Sequence, residues 1–83
     1  MRRYASHVLF LPAQGYLKQY VVETENGYAV NTYPLTEEIE DVEWLPGAII
    51  LEPVDAKLQP VYYSSFDFTA MQPVAGTPRR LLR

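Results

Sequence analysis

The chain contains no cysteine and a single histidine, His7. Without cysteine there is no disulfide, no thiolate zinc site and no thiol nucleophile. One imidazole cannot supply the histidine pair that holds a catalytic ion in metal-dependent hydrolases. Glycine is sparse as well. Gly15, Gly27, Gly47 and Gly76 each stand alone among turn-forming residues, so neither a phosphate loop nor a dinucleotide fingerprint is present. No apolar run approaches the roughly 20 residues that span a bilayer. Arg2 and Arg3 precede Val8-Leu9-Phe10-Leu11-Pro12, but that run is too short for an export signal and no small-residue cleavage site follows it. The chain therefore reads as cytoplasmic, with no membrane segment, metal or cofactor.

What is present points to β structure. The 83 residues make one domain, expected to span 1–83 with a flexible C-terminal tail from about 76. A body this small buries a limited core and is modestly stable. Seven tyrosines, three phenylalanines, one tryptophan and many valines favour strands, and seven prolines leave no room for a long helix. Charge is unevenly placed. Nine acidic residues and no lysine or arginine lie between Gln19 and Ala56, whereas the rest of the chain carries seven basic residues and Asp67 alone. A basic patch of Arg2, Arg3, Arg79, Arg80 and Arg83 would need both termini together, and the net charge of −3 argues against nucleic acid as a partner.

Along the chain, Tyr4 to Leu11 alternates weakly and reads as a first strand. Tyr16 to Thr24 and Tyr28 to Tyr33 form a hairpin. A three-residue loop, Glu25-Asn26-Gly27, with Gly27 left-handed, sets Thr24 against Tyr28, Val22 against Val30 and Tyr20 against Thr32, sorting apolar residues to one face. Thr36 is placed to cap a single helical turn. Val42 to Leu45 is a strand stopped by Pro46-Gly47, and Ala48 to Leu51 is a strand whose unbroken apolar run implies burial on both faces. Pro53 to Pro60 reads as a polar loop and Val61 to Thr69 as one more extended segment. Met71 to Pro78 reads as irregular and Arg79 to Arg83 as a tail. The expected fold is all-β, a small β-sandwich or partly open barrel of five to seven mostly antiparallel strands.

The order of these pieces resembles the small β-sandwich (composite) domain of the amidohydrolase superfamily. The matching fragments are the strand Tyr4 to Phe10, the hairpin Val21-Val22-Glu23-Thr24-Glu25-Asn26-Gly27 and the strand end Trp44-Leu45-Pro46-Gly47, so the likeness covers about residues 4–52. In that family the strand after Pro-Gly opens a catalytic barrel and delivers an aspartate and a His-x-His pair. Here the matching place holds Ile50, Leu51, Glu52 and Pro53, and the barrel of roughly 250 residues has no counterpart in this stretch. The resemblance implies an accessory sheet and carries no activity.

Other constellations are weak. His7 has no catalytic partner nearby in sequence. Glu37, Glu38, Glu40, Asp41 and Glu43 cluster without the glycine turn of a calcium loop. Glu52 and Asp55 flank Pro53, and Ser64 and Ser65 lack an activating base. The aromatics are the stronger feature: Trp44, Tyr62, Tyr63, Phe66 and Phe68 are the candidate interaction residues. The expected role is that of a non-catalytic β module, for protein interaction or structure, with a homodimer as the commonest outcome. The alternative is a small-ligand module whose groove, lined by Trp44 and the Tyr62–Phe68 aromatics, takes a sugar or nucleotide-like ring.

Overall fold

The computed structural model describes residues 1–37 and 40–82, and it is all-β. Five long strands form the body: β1 (Arg2–Leu11), β2 (Gly15–Glu25), β3 (Tyr28–Pro34), β4 (Val42–Val54) and β5 (Lys57–Tyr63). Three two-residue strands follow, β6 (Phe66–Asp67), β7 (Gln72–Pro73) and β8 (Arg80–Leu81). The main sheet runs β3-β2-β1-β4-β5-β8, and a further bridge between Ala29 and Leu58 joins β3 to β5. The five long strands therefore curl into a barrel closed by one bridge at its seam, with β8 laid on β5 beside it. Every long pairing is antiparallel except β1 with β4. The helical turn expected behind Thr36 would run through Glu38 and Ile39, which lie outside the described residues, as does Glu38 of the acidic cluster.

Four sequence expectations are corrected. The β2–β3 loop has two residues, Asn26 and Gly27, with φ of 55° and 82°, so Glu25 faces Tyr28 and Thr24 faces Ala29. The extra residue needed to sort the faces sits one step later. A bulge in β3 leaves the exposed Val30 out of register, and Val22 then pairs with Thr32. A two-residue Asn-Gly turn with positive φ at both positions and a bulge in β3 thus coexist, in place of a single three-residue loop. Secondly, Pro46-Gly47 does not stop a strand. β4 runs through it, and the pair forms a bulge, because Ser6 pairs with Leu45 while Val8 pairs with Ala48.

Thirdly, the expected loop over Pro53–Pro60 is a tight hairpin. Asp55 and Ala56 turn the chain with φ of 48° and 66°, and Val54 pairs with Lys57. The signal was muted because alanine at a left-handed position is uncommon. Proline within β5 is tolerated at Pro60, whose carbonyl accepts the Leu82 N–H at 3.0 Å. Its missing N–H therefore faces the β8 side rather than the β4 ladder. Fourthly, Val61–Thr69 is not one segment: β5 ends at Tyr63, the chain bends at Ser64-Ser65, and Phe66-Asp67 pairs with Gln72-Pro73 as a separate small sheet.

The core divides in two. Inside the barrel lie Tyr4, Leu9, Leu11, Val22, Leu45, Ile49, Leu51, Tyr62 and Leu82. On its outer wall Val8, Ala48 and Phe66 form a second cluster, with Tyr16 and Met71 packed against it. Ala48 and Ile49 belong to different clusters, so this run of β4 is buried on both faces. Leu82 is 1% exposed, and the chain end closes the barrel. Arg79 pairs with Glu52 and Tyr63, and Arg80 lies over the Tyr62 ring, so the last residues are fastened along β5.

Two packing details yield measurable expectations. Gly47 has φ of 118°, and a Cβ there would run into the Tyr63 carbonyl and reach within 3.0 Å of the Ser64 carbonyl oxygen. Gly47→Ala is expected to lower unfolding free energy by about 2 kcal/mol or more in urea denaturation. The Thr24 Oγ1 is buried with no hydrogen-bond partner. Thr24→Val keeps the shape and removes the orphaned hydroxyl, so the same assay should show stability raised by about 1 kcal/mol.

Candidate interaction surface around His7

β1 is flanked along its length by β2 and β4, and both ladders skip the same residue. Toward β2, Ser6 pairs with Tyr20 and Val8 with Lys18, leaving His7 opposite Gln19, whose φ is 52°. Toward β4, His7 faces the Pro46-Gly47 bulge. The inward set of β1 passes from Tyr4 to Leu9 and Leu11, which reverses the alternation, and β2 reverses with it between Tyr20 and Leu17. The buried Ser6 hydroxyl donates to the Val8 carbonyl at 2.6 Å and ties the backbone across the irregular step. His7 is left exposed on the outer wall.

Rings gather around it. Trp44 meets His7 edge-on at 4.9 Å between centroids, and Phe68 does so at 6.0 Å. Phe68 continues to Phe66 at 5.2 Å, Phe66 to Tyr16 at 5.6 Å, and Tyr16 to Phe10 at 4.8 Å. Edge-to-face geometries of this kind are favourable beyond area burial alone. The ladder is half sunk. Phe66 is buried, whereas Trp44 and Phe68 are 42% and 49% exposed. Beside the exposed end lies an open cleft of about 560 Å³ lined by His7, Val8, Lys18, Gln19 and Phe68.

Of the five candidate aromatics, Trp44, Phe66 and Phe68 are brought together with His7 as their link. Tyr62 is not among them: its ring is buried in the barrel and its hydroxyl donates to the Pro46 carbonyl. Tyr63 is half-buried and accepts a hydrogen bond from Arg79 Nε at 3.2 Å. The expected groove joining Trp44 to the whole Tyr62–Phe68 run is therefore divided. Sequence reasoning weighs His7 only as a catalytic base and passes over Lys18 and Gln19, although the weak alternation of β1 is a trace of the irregular step that exposes them. Of the arginines expected to form a basic patch, those described are each engaged separately: Arg2 donates to Tyr4, Arg3 to Glu23, Arg79 to Glu52 and Tyr63, and Arg80 lies over the Tyr62 ring, while Arg83 lies outside the described residues. Glu52 pairs with Arg79 rather than Asp55. Among the described residues no three acidic or histidine side chains converge. Comparison with protein-family models, curated proteins and solved structures finds no significant match.

A second polar group lies at the start of β1. Glu23 accepts from Arg3 Nε at 2.8 Å, from the Tyr33 hydroxyl at 2.9 Å and from Asn31 Nδ2 at 3.5 Å. These donors, Arg3 foremost and then Tyr33, hold the Glu23 carboxyl below its usual range. Burial, then the neighbouring Glu23, pushes the Tyr33 hydroxyl up. A carboxyl lowered in the folded state stabilises above its unfolded pKa, and that contribution fades as pH falls through the folded value. Wild type should thus exceed Glu23→Gln in stability at neutral pH. The gap should narrow as pH drops below about 4, measured by urea titrations across pH.

Proposed function

We propose that this chain is a non-catalytic β module that engages a protein partner through the exposed strip Trp44–His7–Phe68. One observation carries the reading. Two large aromatics, each more than two-fifths exposed, flank one exposed histidine on the outer wall. Exposed aromatic clusters on a rigid sheet are the typical anchors of protein interfaces. Self-association through the same strip is the simplest form of this role. The likeness to the amidohydrolase accessory sheet fits the reading: the fragments that carry it lie in β1, the β2–β3 hairpin and β4, adjacent strands of the main sheet. On this reading no reaction is catalysed, in keeping with a histidine whose neighbours are rings rather than carboxylates.

The test places a photo-crosslinking amino acid at Trp44 in one sample and at Phe68 in another, within the native host. A discrete crosslinked species from both positions, lost when Trp44→Ala is combined with the Phe68 probe, is the expected result. Absence of any crosslink from either position, with a monomer by light scattering at high concentration, would overturn it.

A further inference from the structure

The cations of this protein are almost all occupied. Arg2 donates to the Tyr4 hydroxyl, Arg3 is paired with Glu23, Arg79 with Glu52, Arg80 lies over the Tyr62 ring, and the Lys57 ammonium sits 5.0 Å above the Tyr28 ring. Lys18 alone, among the described residues, has no carboxylate, hydroxyl or ring against it, and Lys18 lines the cleft beside His7.

The cleft itself is shaped for mixed chemistry. Its floor is Val8, 3% exposed, and one wall is the half-exposed ring of Phe68. His7 and the Gln19 amide supply polar groups near Lys18. Among the described residues no carboxylate lines it. The nearest in sequence, Asp67, is folded back on its own turn, where Oδ1 accepts the Thr69 and Ala70 N–H groups at 2.9 and 3.0 Å. Gln19 is held in its left-handed conformation by the Leu35 N–H, which donates to its carbonyl at 2.8 Å. The volume falls within the span of small-ligand pockets.

We propose that this cleft binds a small ligand consisting of a planar ring with one anionic group, the ring against Phe68 and His7 and the anion on Lys18. The ring gains apolar contact and edge-to-face geometry, and the anion gains a charge-assisted hydrogen bond, with the Gln19 amide as a second donor. A nucleoside monophosphate and an aromatic carboxylate share this chemistry. The cleft shares His7 and Phe68 with the strip, but Lys18 lies outside the strip and Trp44 outside the cleft lining, so Lys18 separates a ligand from a partner protein in experiment.

The test is a titration of the full chain, followed by amide chemical shifts, with adenosine 5′-monophosphate, phenylacetate, neutral adenosine and inorganic phosphate. At millimolar ligand, at least one ring-bearing anion should shift His7, Lys18, Gln19 and Phe68, with adenosine and phosphate each binding more weakly. Response to the nucleotide only, or to the carboxylate only, names the source. Lys18→Gln should weaken the anion by about fivefold and leave adenosine unchanged, and Lys18→Arg should restore it. The proposal fails if neither ring-bearing anion perturbs these residues, or if Lys18→Gln binds the anion as wild type does. Lys18→Gln leaves the Trp44 and Phe68 rings in place, so partner crosslinking through those rings should persist in it and is read separately from ligand binding.

Discussion

The closed sheet is built around an irregular step in its central strand, at His7, where β1 reverses its in–out alternation. There β1 carries ladders on both sides, one antiparallel and one parallel. Both are broken at the same level, by left-handed Gln19 in β2 and by the Pro46-Gly47 bulge in β4. Bulges of this kind raise local twist and re-aim side chains. The step is fixed from inside by the Ser6–Val8 hydrogen bond and from across the sheet by Tyr62, whose hydroxyl holds the Pro46 carbonyl. Gly47 is needed because β5 turns away at Tyr63-Ser64 against its α-carbon, where a side chain has no room.

The same step creates the outer wall. Because the alternation of β1 reverses, Val8 points to the opposite side from Leu9 and would be left in water with Ala48. The segment after β5 covers them: Phe66 and Met71 pack there, joined by Tyr16 from β2. The aromatic ladder follows from that cover, and its exposed end follows from where the cover stops. Phe68 lies one strand position past the small β6–β7 sheet, and Trp44 lies before the bulge. His7 occupies the gap between them. The candidate surface is thus a by-product of closing the barrel.

How far this was legible in the sequence depends on the type of signal. The all-β body, the first strand, the hairpin and the doubly buried Ala48–Leu51 run are marked by composition, alternation and an Asn-Gly turn, which are local. Three kinds of information were not local. The β3 bulge at Val30 answers to burial across β2, so no rule about the loop itself could place it. Pro46-Gly47 looks like a stop because proline and glycine punctuate most chains, yet a bulge uses the same pair for the missing N–H and the positive φ. Asp55-Ala56 carries no glycine, and the turn is imposed by the pairing of Pro53 with Leu58 and Glu52 with Gln59 on either side. For the site, Trp44 and Phe68 stood out as aromatics, whereas His7 and Lys18 gain meaning only from the irregular step.

The edges of the sheet decide which surface is left for a partner. An open strand edge offers free N–H groups for pairing with another chain. On β3 the Thr32 N–H is held at 3.0 Å by the Asn31 side chain, and Pro34 has none to offer. Ala29 is used in the seam with Leu58. β8, β6 and β7 are two residues long, too short to template a ladder. With the rims blunted in this way, strand addition is a poor route to association, and the side chains of the outer wall carry what recognition the fold provides. That wall offers apolar area at Trp44 and Phe68 and one uncommitted charge at Lys18. On the proposed reading, binding there would select for rings and for negative charge rather than for backbone.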